Sequence, residues 1–402
     1  MLKSPLGDLG VKNLVSSLMN QNFPHDKLRS IRTPFYYYNM DLLKETLSQA
    51  KKESERYGFI IHYAIKANAN NRILETIKDF GFGMDCVSGY EIEKALSLGF
   101  DPQGIVYAGV GKDDWEIELG INNDIACFNV ESIPELEIID EIAGRKGKKA
   151  SVTFRINPDV DAHTHHYITT GLEENKFGIS LGKLDEVINV LRNLKNINFE
   201  GLHFHIGSQI RDLDVFRTLC IRINEIQEKF ISEHLFPRII NVGGGFGIDY
   251  QNPDENPIPD FEGYFAIFNK FLNKQSNQEV HFELGRSLVG QSGNLVTRVL
   301  YVKEGISTKF AIVDAGMTDL IRPALYQAYH EIENITSAEP KEKYDVVGPV
   351  CESSDCFRKA VSLPRTSRGD IMIIRSAGAY GEVMVSQYNL RKLPKAYYSD
   401  QM

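Results

Sequence analysis

The chain has 402 residues, of which 42% are hydrophobic and 25% charged, and its formal net charge is −9. This globular composition excludes a collagen, a disordered tail protein and a disulfide scaffold, and the length fits two domains or one large barrel with an appendage. No dense Lys/Arg run is present, and the short basic cluster at 145–149 is typical of a solvated turn. We therefore expect no nucleic-acid partner.

The cysteines and the apolar pattern predict the compartment. The five cysteines are an odd, sparse set, and Lys3, Asp8 and Lys12 interrupt the first twenty residues, where a secretory signal would be apolar. No apolar run approaches the ~18 residues that a membrane helix needs. These features predict a reduced, soluble, cytoplasmic protein without a membrane partner.

In chain order, the first element is the aromatic run Phe35–Tyr38, which is extended after Pro34. From residue 59 onward, short β-branched strands alternate with amphipathic helices. The predicted strands are Phe59–Ile65, Gly83–Val87, Ile105–Gly109, Ile125–Val130, Val152–Asn157, Phe199–Gly207, Ile239–Gly243 and Val280–Leu284. The predicted helices are 71–80, 89–98, 113–120, 132–143, 183–194, 214–232 and 262–274.

Eight strands separated by helices predict a parallel sheet, because parallel neighbours need crossover connections. Eight such units in about 230 residues match a (β/α)8 TIM-like barrel, which we place at 39–286. The competing arrangement is an open doubly wound sheet. It is disfavoured because no dinucleotide-binding fingerprint follows the first strand.

The rest of the chain predicts a β-rich C-terminal domain. Short alternating runs follow Ser287, and they are Leu295–Lys303, Lys309–Asp314, Lys343–Gly348 and Asp370–Arg375. The early run Phe35–Tyr38 can join them as a further strand. We therefore assign 1–38 and 287–402 to this second domain.

Reactive residues collect at the carboxyl ends of the barrel strands, where the active site of such a barrel lies. Lys66 ends the first strand, where burial would desolvate its amine and favour a Schiff-base nucleophile. The alternative is an ordinary surface lysine. Gly243, Gly244 and Gly245 end the seventh strand, and their backbone N–H groups can approach a phosphate closely. Together these features suggest pyridoxal phosphate (PLP).

A PLP ring acts as an electron sink when its pyridine nitrogen stays protonated, which requires a carboxylate partner. Glu283, at the end of the eighth strand, is placed to supply it. His205 can stack against the ring, although a histidine at a strand end is more often an ordinary core residue.

We expect no metal site. His163, His165 and His166 share one loop but lack a carboxylate or thiolate at ligand spacing, and Cys351 and Cys356 are too far apart for a zinc pair. The loop 163–170 is instead a candidate for motion over the active site.

Seven motifs, in order, resemble those of the diaminopimelate decarboxylases, which are PLP enzymes of the alanine-racemase-like fold (fold type III). They are Tyr63–Asn68 (YAIKAN), His205–Gln209 (HIGSQ), Gly243–Gly247 (GGGFG), Glu283–Arg286 (ELGR), Asp314–His330, Gly348–Asp355 (GPVCESSD) and Ala377–Asn389. The resemblance extends from about Thr33 to Lys392. In the ELGR motif Leu284 replaces the family's usual proline, which we expect to alter loop rigidity with little loss of chemistry.

The resemblance implies that Lys66 forms the Schiff base, that His205 stacks on the ring and that Glu283 pairs with the pyridine nitrogen. The other implied cofactor contacts are Ser208, Gly243, Gly244, Gly245, Gly285, Arg286 and Tyr380. The implied substrate contacts are Arg286, Arg322, Tyr326, Glu352 and Tyr380. Cys351 is the implied proton donor, and its segment completes the site of the neighbouring subunit in a homodimer.

The predicted function is PLP-dependent decarboxylation of meso-2,6-diaminopimelate to L-lysine and CO2. An arginine, Arg322, and a nearby carboxylate, Glu352, match the distal carboxylate and ammonium of this substrate. The alternatives are a sibling decarboxylase of lysine, ornithine, arginine or carboxynorspermidine, and a non-catalytic PLP-binding regulator. An alanine racemase is a weaker alternative, since it leaves the Cys351–Glu352 segment unexplained.

Overall fold

A computed structural model describes residues 23–160 and 176–402 of the chain. The described residues form two compact units. One unit contains Leu47–Gly247 and Asp260–Leu288, and the other contains 23–46, Ile248–Pro259 and Val289–Met402.

The first unit is built around a closed barrel of eight parallel strands. The barrel closes where the first strand pairs with the last, in a register that places His62 opposite Glu283. This closure confirms the predicted TIM-like barrel over the open sheet. The strands are Ile60–Ala64, Gly83–Cys86, Ile105–Tyr107, Cys127–Val130, Ala150–Arg155, Ile197–His203, Ile239–Asn241 and Glu279–Leu284.

Helices connect these strands, and most begin at a polar capping residue. Asn70, Ser88, Ser132, Asp212 and Asp260 each accept a hydrogen bond from a backbone N–H of the first helical turn. The connecting helices are Asn71–Asp79, Gly89–Ser97, Asp114–Asn122, Ile133–Arg145, Leu184–Leu191, Leu213–Ser232 and Phe261–Phe271, and the helices Met40–Glu55 and Arg286–Val289 flank the barrel in the chain.

The second unit is a β-rich domain that takes in the N-terminal segment, as predicted. Phe35–Tyr38 pairs antiparallel with the long strand Gly293–Glu304 and parallel with Lys395–Tyr398. The remaining strands are Lys309–Val313, Ile332–Asn334, Lys341–Val347, Cys356–Pro364 and Ile371–Ile374, and the helices are His25–Ser30 and Arg322–Tyr326.

The aromatic run Phe35–Tyr38 supplies much of the core of the β-rich unit. Phe35 and Tyr37 pack in one buried cluster with Val296, Ile371 and Ile373. Burial of such large side chains contributes about 1.5–3 kcal/mol each, which fixes the N-terminal strand in its register. Within the described residues, no helix has the length and apolarity required to cross a membrane.

Candidate active site

Lys66 lies in a short 3-10 turn, Ile65–Ala67, directly after the first barrel strand. Its Nζ donates a hydrogen bond to Oδ2 of Asp85, at 3.0 Å, from the end of the neighbouring strand. The Lys66 side chain is 34% exposed, while that of Asp85 is fully buried. The expected desolvation of the amine is therefore only partial, because the fold provides a counter-charge and access to solvent.

Asp85 is the less favourably solvated member of this pair. Burial, and then the negative charge of Glu283, raises the pKa of Asp85 to about 6, although Lys66 acts in the opposite direction. The second carboxylate oxygen, Oδ1, is buried and has no hydrogen-bond partner among the described residues. The site thus contains an acceptor that a bound ligand or a proton can satisfy.

Glu283 is the next-to-last residue of the eighth barrel strand, and its side chain is 4% exposed. Its Oε1 accepts hydrogen bonds from the side-chain amides of Asn129, at 2.9 Å, and Asn241, at 2.8 Å. Its Oε2 lies 3.0 Å from Nε2 of His203. Three neighbouring groups therefore fix the direction of this carboxylate inside the barrel.

These contacts keep Glu283 ionised despite its burial. Burial alone would raise the pKa of Glu283, but the contact with His203 and the positive charge of Lys66 outweigh it and hold the pKa well below its ordinary value. A buried carboxylate that accepts several hydrogen bonds stays charged at neutral pH. Glu283 can therefore act as a permanent negative partner for a protonated ring nitrogen.

The glycine run after the seventh strand is packed so closely that it excludes side chains. A Cβ on Gly243 would lie 2.1 Å from the carbonyl oxygen of Phe204, and one on Gly244 would lie 1.9 Å from that of Glu283. Gly243 also has a φ of +71°, which favours glycine. Bare backbone at a barrel mouth is the arrangement that a phosphate group requires.

His205 lies beside this glycine run. Its Nδ1 accepts a hydrogen bond from the backbone N–H of Gly244 at 3.2 Å. Burial, and then the positive charges of Arg155 and Lys66, lowers the pKa of His205 well below its ordinary value. A neutral imidazole is therefore held next to the cradle, where it can contact a ring face.

Ser208 and Arg286 are paired in the same unit. The Oγ of Ser208 accepts a hydrogen bond from Nη2 of Arg286 at 2.9 Å. Gly285 precedes Arg286 and approaches the turn after the first strand so closely that a Cβ would lie 3.0 Å from that of Ala67. Leu284, which stands at the family's usual proline position, extends the eighth strand by one more pair, with Tyr63 of the first strand.

The predicted substrate arginine, Arg322, lies in the β-rich unit and is 5% exposed. Its guanidinium lies 2.9 Å from Nε2 of His330 and 4.8 Å from the ring centre of Tyr250. Since Nδ1 of His330 donates to the carbonyl of Arg375 at 2.8 Å, Nε2 is the acceptor for Arg322. The side chains of His330 and Tyr250 contact the guanidinium and help to orient it.

Cys351 and Glu352 lie in an exposed loop of the same unit. The backbone N–H of Cys351 donates to Oδ1 of Asn389 at 3.2 Å, and Tyr388 donates its hydroxyl to Glu352 at 2.7 Å. Asp355 anchors the loop by accepting the backbone N–H of Val350 at 2.7 Å. The structure thus holds both predicted side chains at a defined, solvent-facing position.

The two predicted tyrosines, Tyr326 and Tyr380, are half-buried in the β-rich unit. Tyr380 has a positive φ of 56°, which is uncommon for a bulky residue and marks local backbone strain. His163, His165, His166 and the predicted mobile segment 163–170 lie outside the described residues.

Sequence reasoning missed Asp85, Asn129, His203 and Asn241. Each is a buried polar residue at or next to the end of a barrel strand, and that pattern is the signal that could have found them. A polar side chain buried in a barrel interior needs a specific partner. Asp85 contacts Lys66, and the other three contact Glu283.

The residues of the barrel fit pyridoxal phosphate. They supply an amine at Lys66, a buried carboxylate at Glu283 and a side-chain-free cradle at Gly243–Gly245. They therefore define a barrel enzyme whose chemistry depends on a phosphorylated aldehyde.

Residues 40–290 match the family described as "Pyridoxal-dependent decarboxylase, pyridoxal binding domain". The chain is 58% identical, over 94% of its length and 99% of the relative's, to a diaminopimelate decarboxylase of Bacteroides thetaiotaomicron. It is 41% identical to one of Helicobacter pylori, over 92% and 91% of the two chains. The chain belongs to the pyridoxal-dependent decarboxylases and, among them, to the diaminopimelate decarboxylase family.

Solved structures agree with this assignment. The structure of the H. pylori diaminopimelate decarboxylase complexed with L-lysine is similar, with a TM-score of 0.89, 39% identity and 94% coverage of both chains. The lysine/ornithine decarboxylase of Vibrio vulnificus has a TM-score of 0.82 at 20% identity, covering 94% of this chain and 97% of that one. The second likeness concerns the fold alone.

Proposed function

We propose that this chain decarboxylates meso-2,6-diaminopimelate to L-lysine and CO2 with pyridoxal 5'-phosphate. The observation that carries the proposal is the combination, on adjacent strands of one barrel, of the Lys66 amine with the permanently ionised Glu283. The family relationship supports the choice of substrate. The relatives favour diaminopimelate over the substrates of the sibling decarboxylases, and the substrate experiment below tests this choice.

The proposed cofactor contacts are those that the family resemblance implies. Lys66 would bind its aldehyde carbon, Glu283 its ring nitrogen and His205 its ring face. The phosphate contacts would be Ser208, Gly243, Gly244, Gly245, Gly285, Arg286 and Tyr380. The bond between Arg286 and Ser208 supports a place for Arg286 beside the phosphate, and the positive φ of Tyr380 supports a functional role.

When bound, the cofactor supplies an electron sink for the pair of electrons left at Cα as CO2 departs. Glu283 keeps the ring nitrogen protonated, which is what makes the sink effective. Cys351 then donates its thiol proton to Cα, and solvent restores the proton to the thiolate. The exposure of Cys351 in the described chain supports this exchange with solvent.

Arg322 would bind the distal carboxylate of the substrate, with Tyr326 and Arg286 nearby, and Glu352 would bind the distal ammonium. An arginine guanidinium matches a carboxylate in charge and in its paired donor geometry. A substrate with a distal carboxylate gains this contact, and a substrate without one does not. This difference favours diaminopimelate over lysine or ornithine.

The enzyme would act as a cytoplasmic homodimer in which the β-rich unit, assigned to 1–38 and 287–402, contributes Cys351 and Glu352 to the partner's barrel. Five free cysteines are consistent with a reducing compartment. Mixing inactive Lys66→Ala and Cys351→Ala chains tests the shared site, because about a quarter of the sites in an equal mixture would regain both residues. Activity that stays at the level of the separate variants would refute the sharing.

The substrate is tested by CO2 release from the PLP-loaded enzyme. The compounds are meso-diaminopimelate, L,L-diaminopimelate, L-lysine, L-ornithine and L-arginine, assayed in parallel. We expect release from the meso isomer alone, with L-lysine as product. Release from a substrate that forms a diamine would refute the assignments of Arg322 and Glu352, and no release at all would favour the regulator.

A further inference from the structure

Two neutral side-chain amides donate hydrogen bonds to the carboxylate of Glu283. Asn129 and Asn241 come from two other strands of the barrel, and both donate to the same oxygen, Oε1, at 2.9 and 2.8 Å. Their exposed fractions are 0% and 1%. Two arginines at these positions would bind more strongly but would also neutralise the carboxylate. Asparagines orient it and leave its negative charge for another partner.

Each asparagine is itself held in one orientation. The hydroxyl of Thr153, 1% exposed, donates to Oδ1 of Asn129 at 2.6 Å. The backbone N–H of Gly243 donates to Oδ1 of Asn241 at 2.9 Å. Because each amide oxygen is occupied by a donor, each amide NH2 must face Glu283. The network therefore has one arrangement of donors and acceptors, not several.

His203 contacts the second carboxylate oxygen of Glu283. Its Nε2 lies 3.0 Å from Oε2 of Glu283, and its Nδ1 is buried without a partner among the described residues. The arrangement leaving no buried N–H unsatisfied has the proton on Nε2, donated to the carboxylate. Glu283 then accepts three hydrogen bonds, and protonating it would give one of them up.

The same network connects Glu283 to the glycine cradle. Asn241 accepts from Gly243 and donates to Glu283, and the backbone N–H of Glu283 donates to the carbonyl of Gly243 at 2.8 Å. The carboxylate of Glu283 and the glycine cradle are thus fixed relative to each other by the side chain of Asn241 and by a backbone hydrogen bond.

We propose that Asn129, oriented by Thr153, and Asn241, oriented by Gly243, are positioning residues that hold Glu283 ionised and aimed at the ring nitrogen of the cofactor. This inference rests on the proposed function, in which Glu283 meets that nitrogen. The two asparagines act through Glu283 and not on the substrate. The competing explanation is that the two asparagines only fill space in the barrel interior.

The test compares two cofactors on the full-length enzyme, resolved and reconstituted. One is PLP and the other is its 1-deaza analogue, in which carbon replaces the ring nitrogen. The measured quantity is the dissociation constant of the 1-deaza analogue divided by that of PLP, both obtained by titration of the apoenzyme. The wild type should bind PLP more tightly, and Asn129→Leu and Asn241→Leu should reduce this ratio about tenfold, the size of one hydrogen bond to a charged group.

Thr153 gives the conservative comparison. Thr153→Val removes the hydroxyl that orients Asn129 and should reduce the ratio, whereas Thr153→Ser keeps the hydroxyl and should restore it. Thr46→Val is the matched control, since Thr46 is also buried and its hydroxyl donates to a backbone carbonyl, that of Leu42, at 2.7 Å. With PLP bound, turnover should fall in the Thr153→Val and asparagine variants while KM for the substrate stays unchanged.

The outcomes separate the two levels of inference. If Glu283→Gln reduces the ratio but the asparagine and Thr153→Val variants keep the wild-type value, the positioning role is refuted while Glu283 retains its proposed partner. If Glu283→Gln itself leaves the ratio unchanged, the contact with the ring nitrogen is wrong, and the positioning role with it. Equal loss of affinity for both cofactors would indicate packing alone and would also refute the proposal.

Discussion

Replacing Asp85 with asparagine should stabilise the barrel, and more so at pH 8 than at pH 5. Asp85 is fully buried, and burial, followed by the charge of Glu283, raises its pKa from 3.8 to about 6. A folded-state pKa above the unfolded value means that folding favours the protonated acid. The contribution of Asp85 to the stability of the folded state is therefore most favourable below pH 3.8 and is lost as the pH rises through 6.

The size of the loss follows from the two pKa values. At pH 8 the shift costs about 3 kcal/mol, and at pH 5, where the folded acid is still mostly protonated, it costs roughly half as much. Asparagine has the same shape without the charge, and the one-third exposed ammonium of Lys66 remains solvated. The free energy of unfolding of the variant should therefore gain on the order of 1 kcal/mol over that of the wild type between pH 5 and pH 8.

Urea unfolding of the apoenzyme at pH 5, 6, 7 and 8, at one protein concentration, measures this difference. Asp79→Asn, at an exposed carboxylate, controls for the loss of a negative charge at the surface. If the difference in free energy of unfolding between Asp85→Asn and the wild type is the same at pH 5 and pH 8, the reasoning about this carboxylate is wrong.

Three further predictions concern the cradle, the proton donor and the substrate arginine. Gly244→Ala should weaken PLP binding more than about tenfold in a cofactor titration, because the new Cβ would lie 1.9 Å from the rigid carbonyl of Glu283; normal affinity would contradict the cradle. Iodoacetamide should label Cys351 first and abolish turnover in parallel, since it is exposed while burial raises the pKa of Cys86, Cys127 and Cys220; peptide mass spectrometry identifies the site. Arg322→Ala should raise KM for diaminopimelate about tenfold or more with a smaller effect on kcat, and unchanged kinetics would place the distal carboxylate elsewhere.

The barrel and the N-terminal strand could be predicted because their signals are local. Short β-branched runs alternate with amphipathic helices, and Phe35–Tyr38 follows a proline with four consecutive aromatic residues. The strand Lys395–Tyr398 was missed because its partner, Phe35–Tyr38, lies at the other end of the chain. Pairing over such a separation leaves no periodic pattern in the short strand itself.

The candidate site was predictable where a residue type indicates a chemical role and not where a neutral side chain acts through a neighbour. The barrel gathers Lys66, His205 and Glu283 at the face where its strands end. Asn129 and Asn241 also lie at or next to the ends of their strands, but only the closed register brings both to one oxygen of Glu283. Which donors surround a carboxylate decides its charge, so the electrostatics of the site could not be derived before the geometry.

Lys66 and Asp85 are coupled, and the coupling gives a second pH-dependent expectation. With Lys66 present, the gain in free energy of unfolding from Asp85→Asn (its advantage) should level off between pH 7 and pH 8. The reason is that Asp85 is ionised in both the folded and the unfolded chain above its folded-state pKa of about 6. In a Lys66→Ala background Asp85 loses the cation that lowers its pKa, so that pKa rises further. The advantage should then keep growing by up to about 1.4 kcal/mol per pH unit across the same range.

The measurement is the same urea series on Lys66→Ala and on the Lys66→Ala, Asp85→Asn double variant. An advantage that levels off in both backgrounds would mean that Lys66 does not set the charge of Asp85. A continued rise in the Lys66→Ala background alone would show that the ammonium stabilises the buried carboxylate. Glu283 also has the contact with His203, which together with Lys66 outweighs its burial, and this is why two carboxylates in one barrel have pKa values shifted in opposite directions.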